Sequence, residues 1–367
     1  MRRLIDGFFL GLILFVILCV IIFVSLYFAT DGQIIDLAQT FVLRIQLASR
    51  QQELDAPFSS QANPVRFTVS LGTGAYTIAF ALRGAALIHD PGLFIDYARV
   101  EGYDRRFEAG VYFLNQAQSI KEIAEILTDS SKSFILFRTL EGARIEELAD
   151  SIDQNGLFDF AGAEFLMLVV EGAAQPEDFA AWAGIPEGAS LEGFMFPDTY
   201  QLPPDISPSV LLDSLLRTFR ERVGESLREA ALAQNLTLHQ AVTLASIIER
   251  EAVWRDEHAL IASVYRNRLN INMALEADPT VQYGLQGGRG SWWPQITRAD
   301  YREVNSPYNT YLHAGLPPGP IASPSLSAIQ AAIYPESSEY FYFRAACDNS
   351  HYHNFAKTFE GHLQNAC

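Results

Sequence analysis

Residues Leu236 to Gly284 read LTLHQAVTLASIIEREAVWRDEHALIASVYRNRLNINMALEADPTVQYG. The stretch predicts a long helix carrying two carboxylates, Glu249 and Glu251, inside an apolar run. A turn and the tetrad Asp278-Pro279-Thr280-Val281 follow. Leu244, Ile247, Ile248 and Glu251 stand at i, i+3, i+4 and i+7, so they share one helical face. Glu249 is two residues from Glu251, about 200° around the axis, and falls with Val242, Ala245 and Ser246. A regular helix cannot aim both carboxylates into one cleft. A carboxyl beside Leu and Ile loses hydration, which disfavours its charged form and raises its pKa. A general acid working near neutral pH needs such a setting. The competing reading makes both glutamates surface residues partnered by Arg250 and Arg255.

The chain around this stretch has 367 residues, room for two domains and an appendage, and 49% of them are hydrophobic, enough for a sizeable core. Acidic residues outnumber basic ones 43 to 26, a net charge of −17. That argues against nucleic-acid binding, which needs basic patches to replace counterions. The run Gly7 to Thr30, GFFLGLILFVILCVIIFVSLYFAT, carries no charge and matches the roughly 20 apolar residues a bilayer core requires. It is too long for a cleaved signal peptide, shows no A-x-A-like site, and has Leu18 where a lipoprotein would carry a small residue before Cys19. An uncleaved single-pass anchor is therefore expected. Arg2 and Arg3 precede it and Asp31 and Asp36 follow, which puts the N-terminus in the cytoplasm and the bulk of the chain outside it. Cys347 and Cys367 read either as a disulfide of an extracytoplasmic end or as two free thiols.

Residues 31–64, rich in Gln, Ala and Ser, read as a stalk and linker, with a helix packed on the next domain as the alternative for the first half. Val65, Phe67 and Val69 alternate with polar residues as in a strand, which Gly72-Thr73-Gly74 breaks. Tyr76 to Leu87 reads as a helix, Asp90-Pro91 caps a second, and Gly110 to Leu114 returns as a strand. Strand–helix–helix–strand is the order of a LysM-like module, a fold that holds glycan chains; a structural spacer fits the same order. Ser119 with Glu122 forms a capping box for a helix striped by Ile123, Ile126 and Leu127. Phe134 to Thr139 is a strand, Glu141-Gly142 a turn, and Ile145, Leu148 and Ile152 line a helix. Phe158 to Ala181 reads as helical core, and Pro208 to Ala233 as a helix with a solvated face. No fixed period marks a solenoid.

Four turn-rich segments carry aromatic rings with short amide or hydroxyl groups: Gly193 to Tyr200, Asp278 to Gly284, Ser306 to Tyr311 and Gly315 to Pro324. Aromatic faces with short polar donors suit a sugar ring, which offers a C–H face and a rim of hydroxyls. Three runs stand out: Ala245-Ser246-Ile247-Ile248-Glu249-Arg250-Glu251, then Asp278-Pro279-Thr280, then Tyr308-Asn309-Thr310-Tyr311. Together with Gly315-Leu316-Pro317-Pro318-Gly319, the closing His353-Asn354-Phe355 and His362, this order resembles the endolytic murein transglycosylases of the MltG, YceG-like, type, over about residues 65–365.

The resemblance implies an α+β chain in five parts: a cytoplasmic stub at 1–6, a transmembrane helix at 7–30, the stalk and linker at 31–64, a LysM-like module at 65–131 and an α+β catalytic domain at 132–367. It implies cleavage between N-acetylmuramic acid and N-acetylglucosamine within nascent strands, leaving 1,6-anhydro ends, with Glu251 as the catalytic group. Glu249, Glu276, Asp278, Thr280, Gln282, Tyr283, Tyr308, Asn309, Thr310, Tyr311, Asp198 and His353 are the candidate substrate-binding residues. The expected partners are glycan strands, the membrane and peptidoglycan synthases, and no cofactor is called for. One glutamate can serve as acid and then base, since the muramic C6 hydroxyl replaces the second carboxylate of ordinary glycosidases.

Glu276 departs from the family's pattern, which commonly has glutamine there. It either makes a different hydrogen bond or adds a carboxylate that raises the pKa of Glu251 or admits water as nucleophile. Asp198 and Asp278 read equally as substrate positioners and as turn caps. His351 and His353, at i and i+2 on one strand face, with His362 read either as a metal site or, no third ligand being evident nearby, as hydrogen-bonding or structural side chains, and Trp292 and Trp293 read as packing residues or as sugar-stacking rings. No phosphate loop, GxSxG elbow or Cys–His nucleophile motif is present. The reading from another class is a non-catalytic glycan-binding scaffold of the wall-synthesis machinery, which would have no need of a carboxyl in the setting of Glu251.

Overall fold

The computed structural model describes residues 33–287 and 290–367. The anchor expected at 7–30 and the stub before it lie outside the described residues, among which no helix is long and apolar enough to cross a membrane. The fold is α+β, with small two-stranded sheets among helices, and its contacts divide the chain into two units, Met1–Phe134 and Ile135–Cys367.

In the first unit, α1 (Gln33–Ser49) and α2 (Gln51–Asp55) precede β1 (Val65–Val69), α3 (Ala75–Gly84), α4 (Pro91–Glu101), β2 (Gly110–Leu114) and α5 (Ile120–Ile126). The strands pair antiparallel, Val65 opposite Leu114 and Val69 opposite Gly110, and period-2 alternation turns Phe67, Val69, Tyr112 and Leu114 inward. Asp90 accepts from the Gly92 and Leu93 N–H groups, with Pro91 in the first turn, and Ser119 and Glu122 close a reciprocal capping box. Leu47 and Leu54, from the segment expected as a stalk, are buried in this unit's core. Each such leucine stabilises the packing by roughly 1.5–3 kcal/mol.

In the second unit, β3 (Ile135–Arg138) pairs antiparallel with β4 (Thr199–Leu202) across α6 (Ile145–Asn155), α7 (Gly162–Val169) and α8 (Glu177–Ala183). The apolar run at 158–181 is therefore two short helices; Gly172 at φ +84° and Pro176 interrupt it. After α9 (Pro208–Ala233) come α10 (Leu238–Glu251) and α11 (His258–Asn270).

The long helix expected before the turn and the Asp278 tetrad is thus broken in two after Glu251. The chain turns extended at Ala252, and Trp254 leaves the helical path to stack on Tyr352 at 5.9 Å and donate to the Ser350 carbonyl at 2.8 Å. A tertiary contact with the C-terminal segment outweighs local helix propensity. The break makes Glu251 the last residue of α10. Asp278, expected in a turn tetrad, begins α12 (Asp278–Gly284) with Pro279 in its first turn.

Next come α13 (Asp300–Glu303), α14 (Leu326–Ile333), the antiparallel pair β5 (Tyr342–Ala345) and β6 (His353–Ala356), and α15 (Phe359–Gln364). Cys347 and Cys367 are disulfide-bonded. Helix α10 is buried on nearly every side from Leu238 to Ile248, with α14 against it, which makes it the central helix of this unit.

Candidate active site

The carboxyl of Glu251 is half-buried at the C-terminal end of α10. Its Oε1 accepts from the Tyr265 phenol, which reaches across from α11 at 2.8 Å and is 1% exposed. Burial pushes Glu251 up to about 7, against the pull of the Tyr265 hydrogen bond and of Arg268, while the nearby Asp278 charge pushes the same way as burial. Because the phenol donates to Oε1, the proton of the neutral carboxyl sits on Oε2. Burial also raises the Tyr265 phenol well above its usual range, which keeps it a donor.

The expected separation of the two glutamates is present. Glu249 Oε2 accepts from the Ser325 N–H at 2.9 Å and its hydroxyl at 2.5 Å, tying α10 to the N-cap of α14. The arginines weighed as partners go elsewhere: Arg250 lies 3.9 Å over the Trp293 ring, and Arg255 pairs with Glu141.

Asp278 is clamped by two stacked tyrosines. Tyr311 donates to Oδ1 at 2.6 Å and Tyr301 to Oδ2 at 3.4 Å, with the rings 4.3 Å apart. Arg268 donates to the carbonyls of Phe341, Ala274 and Leu275 and lies 3.3 Å from Glu276 Oε2. Glu276 sits in a left-handed turn at φ +50°, its carboxylate toward Arg268. The like charge that acts on Glu251 comes from Asp278.

Three of the expected substrate-binding residues face inward. Thr280, Asn309 and Thr310 are at most 1% exposed. The two threonine hydroxyls share a 2.9 Å hydrogen bond, and Thr310 Oγ1 accepts from the Ala277 N–H. Asn309 donates to the Val304 carbonyl at 2.9 Å. They lock the segment before α12 to the 306–311 loop and so hold Asp278 and Tyr311 in place. Gln282 donates to the Pro294 carbonyl. His353 donates its N–H to Glu257 and shares a 2.9 Å Nδ1 contact with it; its ring meets Phe343 edge-on, and Phe343 meets Tyr265 edge-on. The histidine thereby packs behind the phenol. Asp198 pairs with Arg222 of α9 at 2.6 Å and makes no contact with the Glu251 group among the described residues.

Tyr283 and Tyr308 form a ring pair at 4.7 Å, and the buried Arg144 guanidinium lies 4.2 Å over Tyr283. Beneath them is Glu192, 0% exposed, accepting from the Ile145 and Gly193 N–H groups. Burial, then the Glu146 charge, pushes it up to about 8. Sequence reasoning missed Tyr265, Arg144 and Glu192. Tyr265 had a signal, standing four residues after Ile261 and three after Ala262 on one stripe. Glu192 had a weaker one, a single charge beside Leu191 and Gly193-Phe194-Met195-Phe196. Trp292 and Trp293 donate to Asp150 and Glu147 and flank Arg144. Among the described residues no group of three or more His, Cys, Asp or Glu is placed to hold a metal ion.

A sequence model described as the YceG-like family matches residues 67–367. A Bacillus subtilis (strain 168) protein named endolytic murein transglycosylase is 29% identical over 306 residues, covering 81% of this chain and 82% of that protein. A Streptococcus pneumoniae (strain ATCC BAA-255 / R6) protein of the same name is 30% identical over 321 residues, covering 80% of this chain and 57% of that protein. This chain therefore spans little more than half of the pneumococcal relative. The crystal structure of a yceG-like protein from Listeria monocytogenes is similar at a TM-score of 0.55 and 28% identity, covering 83% of this chain and 99% of that one.

Proposed function

The chain belongs to the YceG-like family, and from that premise we propose that it is an endolytic murein transglycosylase with Glu251 as its acid and base. The observation that carries this reading is a carboxyl pushed up to about 7, with one oxygen held by Tyr265 and the other left for substrate. Glu251 gives the proton on Oε2 to the glycosidic oxygen between N-acetylmuramic acid and N-acetylglucosamine. The bond from that oxygen to C1 breaks, and the muramic C6 oxygen closes on C1. Its hydroxyl proton returns to Glu251, leaving a 1,6-anhydro end and a regenerated acid. Asp278 favours the neutral carboxyl before the first transfer, and Tyr265 stabilises the carboxylate between the two.

In the same reading the 7–30 run anchors the protein in the cell membrane with the N-terminus in the cytoplasm. The catalytic unit then meets nascent strands outside, beside the synthases that make them. The strand–helix–helix–strand unit is read as a LysM-like glycan holder; its exposed Tyr76 and Phe80 rings lie 4.6 Å apart on α3, a platform for sugar faces.

The test uses purified full-length protein, wild type and Glu251→Gln, on uncrosslinked glycan strands, with products read by mass spectrometry. Wild type should make shorter strands ending in anhydro sugars and the variant none. Strands left whole by folded wild type would favour a glycan-binding scaffold.

A further inference from the structure

The opposite end of α10 from Glu251 borders a cavity of about 530 Å³, walled in part by Pro317 and Pro318. Acidic residues outnumber basic ones 43 to 26 in this chain, yet no acidic side chain lines this cavity among the described residues. Arg266 of α11 points its half-buried guanidinium here; Nη2 reaches the Gln234 carbonyl at 3.4 Å, and no carboxylate pairs with it among the described residues. Burial strips part of the water from this guanidinium, and an anion from outside would pair with it. His239, 5% exposed, also lines the cavity, and its buried Nε2 has no hydrogen-bond partner. Gln240 spends Oε1 on the Thr237 N–H, and Thr237 Oγ1 accepts from the Gln240 N–H. What the pair still offers is the Gln240 NH2 group and the Thr237 hydroxyl proton. The lining is thus rich in donors, holds one cation and has an apolar proline wall.

We propose that this cavity takes the carboxylate end of a peptide with small side chains, carried as a substituent of the glycan strand cut at Glu251. The assignment rests on the function proposed above. Arg266 meets the carboxylate, Gln240 and Thr237 donate to it or to the last amide, and Pro317 and Pro318 cover the side-chain methyls. His239 and Glu251 are twelve residues apart on α10, about 18 Å along the axis, and the helix between them is buried, so the surface path exceeds the roughly 17 Å that an extended five-residue peptide reaches. The peptide that enters the cavity therefore belongs to a neighbouring muramyl unit of the strand, not to the one at Glu251.

Two measurements test this on full-length protein in detergent. The first titrates acetyl-D-Ala-D-Ala and its C-terminal amide into the Glu251→Gln protein by calorimetry. The acid should bind at least tenfold more tightly, Arg266→Met should erase the difference, and Arg266→Lys should keep part of it. Equal affinity for acid and amide, no binding of either, a folded Arg266→Met protein that still discriminates, or displacement of the peptide by equimolar inorganic phosphate would each overturn the assignment. The second compares KM on peptide-bearing strands with KM on strands stripped by an amidase. The ratio should favour peptide-bearing strands about tenfold and fall to about one in Arg266→Met; a ratio of one in wild type counts against the cavity. Cleavage of stripped strands by wild type tests the transglycosylase reading separately.

Discussion

Tyr265→Phe removes one oxygen and leaves the ring packed edge-on against Phe343. The lost contact is the 2.8 Å hydrogen bond to Glu251 Oε1. A donor to an ionised carboxylate contributes about 1.5–3 kcal/mol and a donor to a neutral acceptor about 0.5–1.5 kcal/mol. The phenol therefore favours the ionised form by about 1–1.5 kcal/mol, or about one pH unit. Its loss moves the carboxyl upward from about 7. The acid is active when protonated, so the alkaline limb of kcat/KM, which reports the free enzyme, should move from near pH 7 to near pH 8. At pH 6, where both proteins are protonated, kcat should fall because the carboxyl is less well aimed, while KM holds. The assay is release of soluble fragments from labelled uncrosslinked strands, from about pH 5 to 9. A limb that stays in place or moves toward acid would refute the hydrogen-bonding role given to Tyr265.

Asp278→Asn removes the like charge near Glu251, so the alkaline limb should move toward acid; a move toward alkali would contradict the coupling. For Glu192, whose carboxyl rises from 4.5 to about 8, the folded state binds the extra proton. Stability should therefore fall as pH rises from about 4.5 through 8, by a few kcal/mol, roughly 3–5, and Glu192→Gln should flatten that slope in urea denaturation. Matching slopes would sink the claim. Gly193 has φ +85°, and an added Cβ would press into the Pro320 ring, 2.8 Å from Cγ. Gly193→Ala should destabilise by roughly 2–5 kcal/mol from backbone strain and overpacking together; an unchanged melting temperature would show that the 315–324 segment yields.

Features set by neighbours in the chain were legible in the sequence. Asp90-Pro91 and Ser119 with Glu122 act within one turn of their own helices, and the alternation of Val65, Phe67 and Val69 reports a two-sided strand whatever its partner. Helical spacing also separated Glu251 from Glu249, because angle around an axis depends only on residue count. What depended on distant segments was not legible. The end of α10 at Glu251 is set with Trp254 meeting Ser350 and Tyr352, about a hundred residues later. Thr280, Asn309 and Thr310 have the residue types of a sugar site, yet their polar atoms are used to join two loops, an arrangement that chain spacing does not reveal. The buried Glu192 accepts from the Ile145 N–H, 47 residues earlier in the chain, which no side-chain pattern reports.

In the proposed reaction Glu251 passes a proton from the muramic C6 hydroxyl to the glycosidic oxygen with no water taking part. The direct measurement is digestion of uncrosslinked strands by full-length protein in oxygen-18 water, with the new ends weighed by mass spectrometry. The anhydro ends should be free of the heavy oxygen and should be lost in Glu251→Gln. Reducing ends carrying it would rule out closure by the C6 oxygen and make the protein a hydrolase.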